Sequence, residues 1–198
     1  MPPLRILELS GTPYEMGLQH GRAYRDAIRE LAAERVALCC DPTWTGRSLP
    51  SDQVMELAEA CLEHHHTYAP EIMEQIAGIA AATDLTLAEL VIANGFTDFA
   101  DVIYNALERP PRVPVFGNEC TAFMASGAAT ADSQALIGQT WDMHATATPY
   151  VILLRAQPRN EPAFLAFTLT GCVAMIGMNE ERGTSAACLT GSMTRRLT

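Results

Sequence analysis

The stretch NALERPPRVPVFGNECTAFMAS, residues 105–126, holds the sharpest change of character in the chain. Pro110, Pro111 and Pro114 each remove a backbone donor and fix φ, so no helix survives them. Gly117-Asn118 is a turn signal, and Cys120 then opens a short apolar run in which Thr121 is a good strand former. Upstream of this stretch the hydrophobic period is helical; downstream it is that of strands. The expected organisation has three parts. Residues 1–104 are a helical N-terminal region, 105–119 a Pro-rich surface loop, and 120–198 an antiparallel β region. Helices followed by strands give an α+β chain rather than alternating βαβ units.

Working back from the loop, Thr12-Pro13-Tyr14-Glu15 combines an N-cap, proline at the first helical position and glutamate at the capping-box position. A helix is expected from there to about Leu38, with Met16, His20, Tyr24, Ile28 and Leu31 near one face. Gly17 and Gly21, four apart, stack on that helix. Glycine costs a helix roughly 1 kcal/mol, so close backbone packing is the expected return. Asp41–Pro50 reads as a loop. A second helix carries Val54, Leu57, Ala58, Cys61, Leu62, His65 and Tyr68 at helical spacing. Pro70 opens a third, with Ile72, Ile76 and Ile79 as its stripe. Thr86 and Glu89 form another capping box, starting a helix towards Tyr104.

Working forward, Cys120–Ser126, Ala135–Trp141, Tyr150–Ala156, Ala163–Thr170 and Cys172–Met178 are short β-type runs with turn residues between them, spaced as antiparallel hairpins. The chain has 198 residues, 48% hydrophobic and 18% charged, enough for one globular core. Its formal net charge of -10 repels phosphates, so a nucleic-acid partner is not expected. No stretch is apolar enough to span a bilayer and no leader pattern opens the chain, so the expectation is a cytoplasmic protein without a membrane partner.

Cysteines stand at 39, 40, 61, 120, 172 and 188, with no C-x-x-C pair. His64, His65 and His66 occupy consecutive helix positions and point in different directions, which does not make a metal site. His20, between two glycines on a packed face, reads as a core histidine. Serines lack a G-x-S-x-G elbow, and no phosphate-loop glycine pattern occurs. No cofactor or metal is expected.

Cys120 differs from the other thiols by its place. A backbone cut between Glu119 and Cys120 would leave a cysteine with a free α-amine, whose reference pKa is about 7.7–8.0. That amine can take the thiol proton, so nucleophile and base would share one residue.

Three segments then bear a resemblance. GTPYEMGLQHG at 11–21, APEIMEQIAGIAAATDLTLAELVIANG at 69–95, and NECTAFMA at 118–125 followed by GQTWD at 138–142 resemble the penicillin acyltransferase family, the acyl-coenzyme A:6-aminopenicillanic-acid acyltransferases and their bacterial relatives. The resemblance implies a self-cleaving precursor of the N-terminal-nucleophile type with a four-layer αββα sandwich. It places Cys120 as nucleophile, Glu119–Cys120 as the autocleavage bond and Asp142 beside the nucleophile's amine. Trp141 is the candidate substrate contact, although its size also suits the core. The implied substrates are small acyl amides or acyl thioesters, processed through a thioester on Cys120. The family pattern also implies an asparagine donating to the oxyanion shortly after Asn179–Gly183; TSAACLTGSMTRRLT at 184–198 has none. A sandwich incomplete at its C-terminus is therefore expected, with an open sheet edge suited to self-association. The rival expectation is a non-catalytic remnant or interaction module of the same family, and a further one is a cysteine hydrolase that never cleaves itself.

Overall fold

The computed structural model describes residues 4–107 and 120–180, and the backbone of 186–187. Strand β1 (Arg5–Gly11) leads into helices α1 (Pro13–Ala23), α2 (Arg25–Cys40), a single turn α3 (Pro42–Thr45), α4 (Ser51–Tyr68), α5 (Pro70–Thr83), α6 (Leu87–Asn94) and α7 (Phe96–Ala106). The second part has strands β2 (Ala122–Ala125), β3 (Leu136–Gln139), β4 (Val151–Pro158), β5 (Phe164–Leu169), β6 (Ile176–Asn179) and β7 (Ala186–Ala187). The mixture of helices and sheet agrees with an α+β chain.

Both expected capping boxes form. Thr12 Oγ1 accepts from the Glu15 N–H while Glu15 accepts from the Thr12 N–H, and Thr86 and Glu89 repeat the exchange. Two helices expected to be continuous are each broken. Tyr24, at φ -132 and ψ 31, separates α1 from α2, and Gly95, at φ -117 and ψ 35, separates α6 from α7. Neither break has a proline to announce it. Each lets one helix lie on the sheet or a neighbour while the next turns away. The expected 41–50 loop contains α3, capped by the Asp41 side chain on the Thr43 N–H.

The largest correction concerns β1. Residues 1–104 are not wholly helical, because β1 pairs in parallel with β4, Arg5 opposite Ile152 through Gly11 opposite Pro158. The larger sheet runs β1-β4-β5-β6-β7, and every pair except β1·β4 is antiparallel. β2 and β3 form a separate antiparallel hairpin. Side chains alternate between sheet faces. Leu7, Leu9, Ile152, Leu154, Ala156, Phe164 and Ala166 face Met16 of α1 and make one core. The other face carries the Glu8–Arg155 ion pair at 2.9 Å and Phe167. Among the described residues no single helix is long and apolar enough to cross a membrane.

Helices α1 and α5 meet through glycines, as the spacing of Gly17 and Gly21 leads one to expect. A Cβ on Gly17 would lie 2.0 Å from the Gln75 carbonyl oxygen, and one on Gly78 would lie 2.2 Å from the Tyr14 carbonyl oxygen. Backbone thus rests on backbone. Below this contact, His20 is fully buried and its Nε2 accepts the Gly171 N–H at 3.0 Å. Gly171 has φ +85, which glycine alone adopts without strain. Asn94, at the end of α6, closes the same turn by donating to the Gly171 carbonyl at 3.0 Å and accepting the Val173 N–H at 2.9 Å. The 170–173 turn is therefore held from α1 and from α6 at once.

Two predictions follow from this packing. Gly78→Ala should lower stability by about 1–3 kcal/mol, since its methyl meets immovable backbone. Gly95→Ala, where a Cβ meets nothing nearer than 3.5 Å, should be close to neutral. Urea melts of both variants decide, and equal midpoints would remove the glycine contact from the account. The second prediction concerns pH. Burial lowers the His20 pKa from 6.5 to about 4, so the folded state keeps it neutral where the unfolded chain already binds a proton. Its contribution to stability is complete above pH 6.5 and is lost as pH falls from 6.5 towards 4. The loss is about 3 kcal/mol at most. His20→Gln should flatten the stability profile across that window; parallel profiles for the two proteins would contradict it.

Candidate functional site

Cys120 lies two residues before β2 and is exposed. The hairpin is extended towards it because Thr121 is clamped to Thr140 by two hydrogen bonds. The Thr140 N–H donates to the Thr121 carbonyl at 2.8 Å, and the Thr121 N–H donates to Thr140 Oγ1 at 3.0 Å. The hairpin register sets Ala122 opposite Gln139 and Phe123 opposite Gly138. Thr121 and Thr140 thus add one pair to the hairpin ladder, with Cys120 preceding the first and Trp141-Asp142 following the second. Threonine at 140 thus has a function of its own, since its hydroxyl ties down the residue after the thiol.

Asp142 is exposed, and among the described residues neither its carboxylate nor the Cys120 thiol makes a side-chain hydrogen bond. Glu119 and Cys188 lie outside the described residues, as do the side chains of 184–198, the stretch expected to hold an oxyanion asparagine. Trp141 is half-buried against Leu31, Leu169 and Cys172, and its ring meets Phe167 edge-on at 5.9 Å. It holds the segment after β3 against β5 and α2. Such an aromatic pair contributes about 0.5–1.5 kcal/mol beyond its buried area. The hairpin itself leaves Phe123, Met124 and Leu136 more than half exposed.

The other described thiols have different surroundings. Burial pushes Cys39 and Cys172 up to about 12, with the Arg35 charge opposing in both. Cys172 Sγ donates to the Ala93 carbonyl at 3.4 Å. Burial also raises Cys40 and Cys61, and Cys61 Sγ donates to the Leu57 carbonyl within its own helix. These thiols are protonated at neutral pH, and the thiolate is the reactive form. His65 Nδ1 lies 2.8 Å from the Cys61 carbonyl on the exposed side of α4, and among the described residues no three His, Cys, Asp or Glu side chains gather in a metal-binding group.

Sequence reasoning missed Arg35. It is 1% exposed, and its guanidinium lies 4.6 Å from the centre of the Phe96 ring. A signal was available, since Ile28, Leu31, Ala32, Arg35 and Cys39 form the buried stripe of α2 and Arg35 is its one charge. Nearby, His144 stacks on Trp44 at 3.9 Å and meets Phe96 edge-on at 5.8 Å. Burial and the Arg35 charge lower the His144 pKa, while Glu34 opposes them.

No family model matches the chain. Over 169 residues, 85% of this chain, it is 24% identical to the acyl-coenzyme A:6-aminopenicillanic-acid-acyltransferase 40 kDa form of Emericella nidulans. Over 195 aligned positions, 90% of this chain, it is 25% identical to an uncharacterized protein of Archaeoglobus fulgidus. The chain spans 42% of the first relative and 31% of the second. At these identities the link is distant homology to an acyltransferase, carried across most of the present sequence.

Proposed function

We propose that this chain carries the nucleophile region of an acyltransferase or amidohydrolase of the N-terminal-nucleophile type, acting on small acyl amides or acyl thioesters through Cys120. The observation that carries the reading is the exposed Cys120, two residues before β2, whose neighbour Thr121 is held to Thr140 by two hydrogen bonds. The distant acyltransferase relative supports it. The helices, the five-stranded sheet and the separate β2–β3 hairpin are elements of the kinds that an αββα sandwich combines.

The chemistry runs in two stages. In processing, the Cys120 sulfur attacks the Glu119 carbonyl carbon and the peptide nitrogen leaves as the α-amine of Cys120. Water then cleaves the resulting thioester, giving a Glu119 carboxylate and a free thiol. In turnover, the α-amine takes the thiol proton and the thiolate attacks the substrate carbonyl. The protonated amine returns its proton to the departing amine or thiol, leaving an acyl thioester on Cys120. Water or an acceptor amine removes the acyl group. Asp142 holds the α-amine in place.

The rival reading, a non-catalytic interaction module, is favoured by one feature: the apolar side chains Phe123, Met124 and Leu136 exposed on the hairpin. Such a surface suits self-association or a protein partner.

Intact-mass measurement under denaturing conditions separates the readings. The enzyme reading expects two pieces, the second starting at Cys120, and Cys120→Ala should leave the chain whole and inactive on acyl amides. Cys61→Ala should behave as wild type. An uncut wild-type chain that turns over no acyl amide, yet self-associates until Met124→Ser is introduced, would establish the module instead. Brief alkylation followed by peptide mapping provides a fourth prediction: among the described cysteines, Cys120 should be modified first. Labelling led by Cys40 or Cys61 would contradict it.

A further inference from the structure

We propose that the cavity between the first turns of α1 and α5 and the β5–β6 part of the larger sheet binds a small apolar amide that carries no negative charge. The cavity measures about 330 Å³, near the lower end of the roughly 300–1,000 Å³ usual for small-molecule sites. It exists because the helix layer and the sheet part there. Met16 of α1 packs over Leu9, Ile152 and Leu154. Further along, the floor is made of Ala166, the Gly177 opposite it, and Ala174, whose short side chains leave a gap. Ile72 of α5 and Phe164 of β5 close its sides.

Two polar features set the chemistry of the ligand. Gln75 lines the cavity and is 8% exposed, and its Nε2 is buried without an acceptor. Native interiors rarely leave such a donor unpaired, and a carbonyl oxygen in the cavity satisfies it. The side-chain amide turns on a broad, two-fold torsion, so its N–H can be aimed into the cavity without backbone movement. The charged residues of the lining are Glu71 and Glu161. Both are exposed and so stand at the open side, and neither is in an ion pair among the described residues.

Charge and spacing narrow the ligand further. Two carboxylates at the open side repel a carboxylate or phosphate ligand. Glu71 and Gln75 are four residues apart on α5 and share one face of it, an acceptor outside and a donor inside. A trans amide points its C=O and N–H in opposite directions. Its oxygen therefore accepts from Gln75 while its N–H donates outward to Glu71, and its alkyl chain lies against Met16, Ile72 and Phe164. An ester or ketone would lose the second of these bonds. No lining residue belongs to the β2–β3 hairpin or to residues 140–150, so the site does not depend on the chemistry proposed at Cys120.

Methyl NMR of the whole chain, labelled at Met ε and Ile δ1 carbons, tests the proposal by titration with N-butylacetamide and, separately, with hexanoate. N-butylacetamide should shift the Met16 and Ile72 signals saturably and leave Met55 and Ile103, in the core shared by α4 and α7, in place. Hexanoate, with a similar chain but a negative charge, should bind about tenfold more weakly. Gln75→Met should weaken N-butylacetamide about fivefold through the loss of one hydrogen bond, yet should melt no lower than wild type, since an unpaired buried donor is gone. Four results would overturn the site. The first is no saturable shift at Met16 and Ile72, and the second is hexanoate binding as tightly as the amide. The third is unchanged affinity in Gln75→Met. The fourth is movement of the Met16 and Ile72 signals when the protein alone is concentrated, which would assign the cavity to a second copy of the chain. If Gln75→Met does not fold, the wild-type titrations with the two probes decide by themselves.

Discussion

The backbone contact between α1 and α5 is the constraint from which the remaining arrangement follows. Gly17 and Gly78 let two helices approach until carbonyl oxygens occupy the space where side chains would stand. Such closeness fixes both the separation and the rotation of the helices, because any slip brings a Cβ onto a peptide group. With α1 fixed in this way, Met16 faces the sheet core and His20 faces the 170–173 turn. The capping box at Thr12 then determines where β1 ends and α1 begins.

From that turn the constraint passes to the candidate site. His20 and Asn94 hold Gly171 and Val173, and Thr170 donates its N–H to the Tyr150 carbonyl. Tyr150 ends the short helical turn that follows Asp142. The far end of the Trp141–Tyr150 segment is thereby anchored by helical residues, and its near end is anchored by Trp141 on Phe167. The thiol itself is exposed, but the chain beside it is fastened at both ends. On the proposed reading, a nucleophile beside a fastened segment needs little reorganisation to act.

Local chemistry was legible in the sequence; long-range pairing was not. The capping boxes at Thr12 and Thr86, the glycine spacing on α1 and the hairpin either side of residues 127–135 can each be read from fewer than about twenty neighbouring residues. The breaks at Tyr24 and Gly95 escape such a reading because they are imposed by what the next helix packs against, and tertiary contact overrides local pattern. β1 escapes because its partner lies at the far end of the chain and parallel pairing leaves no turn signal nearby. At the site, the position of Cys120 before an apolar strand was visible. The pair of hydrogen bonds between Thr121 and Thr140 was not, since it depends on hairpin register. Arg35 was hidden by its ordinary helical context: only its alignment with Ile28, Leu31 and Cys39 distinguishes it from a solvated charge.

The parallel pairing of β1 with β4 also orders events in time. Glu15, just beyond β1, and its ion-pair partner Arg159, just beyond β4, are 144 positions apart. At ribosomal speeds of about 5–20 residues per second, β1 waits roughly 7–30 s for its partner to be made. Meanwhile α1 and α5 have all they need to dock, and the apolar edge carrying Leu7 and Leu9 stays uncovered beside them. Nascent chains of this protein are therefore most vulnerable to aggregation in that interval, and the short, charge-bearing β1, with Arg5 and Glu8 among its seven residues, is suited to surviving it.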